Sequence, residues 1–228
     1  MIETAVDALI FDMDGTLAET GHIWVAAEHA LFEFLGHEWS ENVASHGLGM
    51  NAADLATTMH RILGARQPVK AAQRVMREAL IDAYGGSTIL EIPDAVALVR
   101  RLHGRVPMAV ASGSPLEGIH HALAQLGIRS LFDVILSTES VPAGKPAPDG
   151  FLAAAEALGV APSRCVVFED SPIGARAAQA AGMGCFVRPR NARCDLTGTD
   201  AVLTAHWDDV TAVKVFGADQ VTTSQYGR

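Results

Sequence analysis

The sequence predicts an α/β fold, a doubly wound, Rossmann-like parallel sheet with an α-helical domain inserted after its first strand. Three observations carry that expectation. Short apolar runs without polar alternation recur along the chain, as strands covered on both faces require. Helical stripes separate them, the alternation that builds a parallel sheet. The gap between the first and second runs is far too long for a single crossover helix.

The runs are Ala8 to Phe11, Met108 to Ala111, Val134 to Leu136, Cys165 to Phe168, Cys185 to Val187 and Ala201 to Leu203. Ala95, Leu98, Val99 and Leu102 mark one connecting helix, and Ile119, Ala122, Leu123 and Leu126 another. The long gap holds three further stripes: Ile23, Ala27, Ala30, Leu31 and Phe34; Leu55, Met59, Ile62 and Leu63; and Ala72, Val75, Met76, Ala79, Leu80 and Ala83. Gly36, Gly47, Gly49, Gly64 and Pro68 punctuate them. The expected division is a sheet core of residues 1–19 and 88–228, with an inserted helical cap domain at 20–87. The chain would enter the cap after Leu17 and leave it through Gly85-Gly86. From about Asp219 the chain is polar and reads as a frayed end.

A chain of 228 residues can bury roughly 70% of its unfolded surface without staples. Its formal net charge of -9 disfavours nucleic acid and anionic membranes as partners. An anionic substrate is still permitted, because a metal and a few cations can invert the field locally. The opening MIETAVDALIFD has no basic leader, and no apolar run approaches the 18 or so residues of a membrane span. Cys165, Cys185 and Cys194 lack metal-ligand spacing, and the first two sit in strand-like runs as small core residues. A monomer in a reduced cytoplasm is the expectation.

Four segments carry chemistry. Phe11-Asp12-Met13-Asp14-Gly15-Thr16-Leu17 follows the first run directly. Strand alternation sends Asp12 and Asp14 to one side, at the carboxyl end where open α/β sheets bind ligands. Two close carboxylates repel unless a cation or proton sits between them. A divalent metal would keep Asp12 ionised as a nucleophile and leave Asp14 to shuttle a proton. In Val110-Ala111-Ser112-Gly113-Ser114-Pro115, Ser114 reads as an N-cap and Pro115 as the first helical residue, and such a helix start can cradle phosphate. Gly144-Lys145-Pro146-Ala147-Pro148-Asp149 fixes a rigid turn around one ammonium. Val166-Val167-Phe168-Glu169-Asp170-Ser171-Pro172-Ile173-Gly174 ends a strand in acids, the hard oxygen ligands that Mg²⁺ prefers. Taken singly, each has a plainer reading: a solvated turn, a capped helix, a surface lysine, an acidic cap.

Taken together and in order, an acid pair, a serine, a lysine and a second acid pair just beyond separate strands resemble the haloacid dehalogenase superfamily over nearly the whole chain. The resemblance extends to its helical-cap subclass, which includes sugar phosphatases and β-phosphoglucomutase. It implies that Asp12 is the nucleophile and a metal ligand, and that Asp14 is the general acid/base and lends its backbone carbonyl to the metal. Ser112 and Lys145 match the phosphoryl-oxygen binders, with Thr16, Gly113 and Ser114 beside them on the substrate. Asp170 matches the remaining acidic metal ligand, with Glu169 ligating directly or through water. The implied cofactor is Mg²⁺, and the implied partner a small phosphorylated metabolite.

Asp14 argues for phosphate esters, because the family's dehalogenases lack this second aspartate. The leading expectation is a phosphatase acting on a sugar or sugar-acid phosphate; the alternatives are a sugar phosphomutase and a non-catalytic regulatory binding protein. The specificity loop is expected at Gly49-Met50-Asn51, where Met50 gives no basic anchor. In the β-phosphoglucomutases a cap histidine lies five positions after the linker acid; Glu19 is that acid here, and the fifth position is Trp24. Trp24, Trp39 and Trp207 read as packing residues. His120-His121 are adjacent, point different ways and do not chelate as a pair. Arg74 and Arg77 could reach substrate from the last cap helix, although exposed helical arginines usually reach only water.

Overall fold

A computed structural model describes residues 6–189 and 195–207. Cys194 and the tail from Asp219 lie outside the described residues. The chain begins with β1 (Ala8–Phe11) and a short β2 (Ala18–Glu19), then runs through α1 (Gly21–Leu35), α2 (Glu41–Ala44), α3 (Ala52–Ile62) and α4 (Val69–Gly86). It returns through β3 (Leu90–Glu91) and α5 (Pro93–Leu102). Then come β4 (Met108–Ser112), α6 (Leu116–Gln125), β5 (Val134–Ser137), α7 (Asp149–Leu158) and β6 (Cys165–Glu169). The last elements described are α8 (Pro172–Ala180), β7 (Gly184–Val187) and β8 (Val202–Leu203).

All six apolar runs are strands of one parallel sheet, in the order β5-β4-β1-β6-β7-β8. Alternate residues of β1 serve opposite faces. Leu9 and Phe11 join one apolar cluster with Val110, Phe168 and Trp207, while Ala8 and Ile10 join another with Ala111, Phe151 and Val167. Phe11 stacks on Phe168 at 4.6 Å, and Trp207 meets Phe168 edge-on at 5.3 Å. Each such fully buried side chain contributes about 1.5–3 kcal/mol by leaving water. Cys165 and Cys185 are buried core residues.

The helices α1 to α4 form an insertion between β1 and β4, with α4 lying against α1 and α3. Their interior, including Ile23, Leu31, Leu55, Met76 and Tyr84, is continuous with the first face of the sheet. Gly85 and Gly86 complete the last turn of α4, the last helix of the insertion, and its packing outweighs a cost of about 1 kcal/mol per glycine. The return is made by β3, which pairs antiparallel with β2, and Ile92 donates its N–H to the Leu17 carbonyl at 3.0 Å. Among the described residues no helix is long and apolar enough to cross a membrane.

Candidate active site

β1 lies at the centre of the sheet, with the chain crossing to β4 on one side and to β6 on the other. At that reversal the loops leaving the carboxyl ends diverge and open a crevice. β1 delivers Asp12 and Asp14; β4 ends in Ser112 and leads to Ser114; β6 ends in Glu169 and leads to Asp170. Lys145 arrives on the loop after β5, joined to Pro146 by a cis peptide bond. All seven side chains are buried. Buried charges need partners, and here the partners fall into two sets.

The first set is charged. Lys145 Nζ donates to Asp12 Oδ1 and Glu169 Oε1, at 2.5 Å each, and stands 5.1 Å from the Phe151 ring centre. Glu169 Oε2 accepts from the backbone N–H groups of Asp170 and Ser171 at 2.9 and 3.0 Å, and from the Ser171 hydroxyl at 2.9 Å. A Cβ on Gly174 would stand 1.9 Å from Glu169 Oε1, so glycine in the first turn of α8 leaves room for this carboxylate. Ser171 caps that helix and Pro172 starts it, as the sequence suggests. Burial pushes the Glu169 carboxyl up, but Lys145 and the Ser171 donors together hold it below its ordinary value. Asp12 moves the other way. Burial, opposed by Lys145 but reinforced by Glu169 and Asp14, pushes it up to about 7.

One oxygen each from Asp12, Glu169 and Asp170 lies within 4.8 Å of the others. Three carboxylates against one ammonium leave two negative charges if all are ionised, and the donors are hard oxygens. That set fits a divalent Mg²⁺. The Asp14 carboxylate is not one of the cluster; only its backbone carbonyl is left for the metal role expected of it.

The second set is neutral. Asp14 Oδ1 accepts from the Thr20 hydroxyl at 2.7 Å, the Trp24 indole N–H at 3.2 Å and the Tyr84 phenol. Its Oδ2 accepts from the Ser112 and Ser114 hydroxyls at 2.8 and 2.9 Å. Burial alone would push Asp14 up, but the hydrogen bonds from Tyr84, Thr20, Ser112 and Trp24 more than reverse it.

The other expected residues are more scattered. Ser114 does not cap α6: Pro115 occupies the cap position, the helix starts at Leu116, and the serine hydroxyl turns to the stronger, charged acceptor on Asp14. Thr16 is fully buried, with its hydroxyl unpartnered among the described residues. Asn51 caps α3 by accepting from the Asp54 N–H at 2.8 Å, and the next residue, Ala52, donates to the Gly113 carbonyl at 3.3 Å. The loop expected to set specificity is therefore seated on the loop of Ser112. Met50 turns its sulfur to the Thr58 hydroxyl at 3.6 Å. Arg74 pairs loosely with Glu78, while Arg77 forks across to Glu117 and Glu139 on the core. His120 and His121 have different partners, Arg129 and Gln125.

Thr20, Trp24 and Tyr84 are the site residues that sequence reasoning missed. By sequence Trp24 reads as a packing residue, and nothing local marks Tyr84. Only the offset from Glu19 singled out position 24.

The sequence model of the haloacid dehalogenase-like hydrolases matches residues 6–182. The chain belongs to that family. This haloacid dehalogenase-like hydrolase is 36% identical over 187 residues to the fructose-1-phosphate phosphatase YqaB of Escherichia coli (strain K12), covering 77% of the chain and 92% of that protein. It is 33% identical over 207 residues to hexitol phosphatase A of the same strain, covering 85% and 88%. Among solved structures it is similar to CbbY from Rhodobacter sphaeroides in complex with phosphate, with a TM-score of 0.77, 27% identity, and 90% and 96% of the two chains covered. The β-phosphoglucomutase of Clostridium difficile shares the fold, at a TM-score of 0.77 and 21% identity over 89% and 92%.

Proposed function

We propose that this hydrolase is a Mg²⁺-dependent phosphomonoesterase that acts on small phosphorylated sugars or polyols through an aspartyl phosphate on Asp12. The observation that carries this reading is the division of labour between the two aspartates. Asp12 sits among charges, beside the acids that would hold Mg²⁺, while the side-chain hydrogen bonds on the Asp14 carboxylate come from neutral donors. A bound Mg²⁺, held by Asp12, Asp170, the Asp14 carbonyl and Glu169 directly or through water, would draw charge off the phosphoryl oxygens and keep Asp12 ionised.

In the first step Asp12 attacks phosphorus and the ester P–O bond breaks; Asp14, having taken a proton from solvent as the substrate draws Ser112 and Ser114 away from it, gives that proton to the leaving alkoxide. In the second step Asp14, now ionised, takes a proton from water. The water oxygen bonds to phosphorus, the bond to Asp12 breaks, and phosphate leaves. Ser112 and Lys145 hold phosphoryl oxygens throughout. When Ser112 and Ser114 turn to the phosphoryl group, Asp14 loses two of the donors that hold it ionised, and protonation becomes easier.

Two further observations narrow the substrate and the reaction. The insertion offers Asp14 the neutral donors Thr20, Trp24 and Tyr84, and Arg77 is committed to Glu117 and Glu139. With Arg77 so committed, it is not offered to the carboxylate of a sugar acid, which favours sugars and polyols. Trp24 stands where a mutase would place a histidine, and an indole N–H donates only and cannot activate a sugar hydroxyl. The same reading takes the enzyme as a cytoplasmic monomer, the oligomeric state being testable by light scattering.

The test incubates the enzyme with Mg²⁺ and a panel of phosphorylated sugars, polyols and sugar acids. It includes β-glucose 1-phosphate with a trace of glucose 1,6-bisphosphate. Phosphate release from a sugar or polyol ester, lost in Asp12→Asn, supports the reading. Rapid isomerisation with little phosphate release would overturn it in favour of a mutase.

A further inference from the structure

The insertion and the sheet loops divide the carboxylate of Asp14 between them. Thr20, Trp24 and Tyr84 address Oδ1, whereas Ser112 and Ser114 address Oδ2. Thr20 and Trp24 lie close in sequence to Asp14. Tyr84 lies 70 residues away, in the last turn of α4, and its phenol also meets the Ser114 hydroxyl at 3.0 Å. Its ring is fully buried and rests on Gly118 of α6. A Cβ on Gly118 would come within 2.5 Å of Tyr84 Cδ2 and 3.1 Å of Cγ. Glycine within a helix costs about 0.5–1 kcal/mol relative to alanine, so α6 gives up helical stability to admit this ring. A tyrosine used only to fill space would not need its hydroxyl against two groups of the catalytic centre.

We propose that Tyr84 is a positioning residue for the phosphatase reaction. Seated over Gly118, its phenol fixes Asp14 with Oδ1 turned to the insertion and Oδ2 turned to Ser112 and Ser114, the side that receives the phosphoryl group. The proposal rests on the phosphatase reading above. Asp14 must meet the leaving oxygen in one step and water in the next, and a carboxylate free to rotate about its Cα–Cβ and Cβ–Cγ bonds meets both less often. Tyr84 touches neither reactant; it acts through Asp14.

Tyr84→Phe keeps the ring over Gly118 and removes only the hydroxyl. With p-nitrophenyl phosphate and Mg²⁺, this variant is expected to lose kcat by about a hundredfold while KM moves by less than about threefold. Quench-flow should show aspartyl phosphate accumulating, because p-nitrophenolate leaves without a proton and the water step still needs Asp14. Gly118→Ala displaces the ring and should lower kcat by at least as much. Adding Tyr84→Ala to Gly118→Ala should cost little more than either change alone, a non-additivity expected of residues in contact. A kcat for Tyr84→Phe within about twofold of an active wild type would overturn the positioning role and leave the phosphatase reading standing. Full kcat in Gly118→Ala would do the same. A wild-type chain without Asp12-dependent turnover would remove both.

Discussion

Asp12 and Asp14 are the same residue type, two positions apart on one turn, and both are buried, yet the fold treats them in opposite ways. Around Asp12 stand an ammonium and two further acids, and the net result is a carboxyl pushed up, to about 7. Around Asp14 stand hydroxyls, an indole and a phenol, and the carboxyl is held below its ordinary value. Burial acts on both in the same direction. The difference lies in what compensates it. Asp12 has one hydrogen-bonding cation, shared with Glu169, and stays under-compensated; the hydrogen bonds on Asp14 more than offset its burial. On the proposed phosphatase reading, these two environments would make a metal-activated nucleophile and an acid/base held by fixed dipoles from one kind of side chain.

The comparison breaks most severely at Asp12. Asp12→Asn removes the anionic nucleophile and should cut turnover by at least about 10⁴-fold, with no acid-stable phosphoenzyme and a normal thermal melt. Near-normal phosphate release from this variant would sink the assignment. Next comes the cation. Exhaustive chelation should abolish activity, Asp170→Ala should raise the Mg²⁺ requirement or eliminate turnover, and Ca²⁺ should inhibit, since its bonds are longer by roughly 0.3–0.5 Å and misplace nucleophile and phosphorus. Full rate in the chelated enzyme contradicts the charged half of the comparison.

Asp14→Asn probes the neutral half, with a smaller loss of about 10²–10⁴-fold. With p-nitrophenyl phosphate it should show a burst followed by slow turnover, because the first step needs no proton and the second needs a base. Unchanged steady turnover refutes the acid/base role. Arg77→Ala is the mildest test. Its bridges to Glu117 and Glu139 are partly exposed and worth less than about 1 kcal/mol each. A melting point lowered by a few degrees and a slightly raised KM are expected, with kcat unchanged. A collapse of kcat would make Arg77 part of the centre and break the separation drawn here between site and surface.

Much of this was legible in the chain itself. Continuous apolar runs have to be covered on both faces, so all six strands could be placed, and the residues directly after β1, β4 and β6 had to emerge at the carboxyl edge of the sheet. Lys145 was legible only through its place in the ordered set of motifs, since alone it reads as a surface lysine in a proline-rich turn. The family resemblance supplied the roles. Less legible were features where a local rule met a stronger contact: Gly85 and Gly86 remain helical because α4 packs along its length, and Ser114 leaves its cap for a charged acceptor.

What the sequence determined by itself is therefore the sheet, the insertion, and the order in which Asp12, Ser112, Lys145 and Asp170 are presented, because each depends on hydrophobic continuity and on residues within a few positions. The company that Asp14 keeps was decided only by the tertiary structure. Thr20, Trp24 and Tyr84 lie 6, 10 and 70 residues from it, on elements whose local signals speak only of helix and packing. Their polar atoms converge because α1 and α4 dock on the sheet loops, with Gly118 leaving the space for one ring. Hydrogen bonds need an approach to within about 3 Å and a direction. Periodicity in a sequence sets which face of a helix is buried, and the distance and direction appear only when two such faces meet.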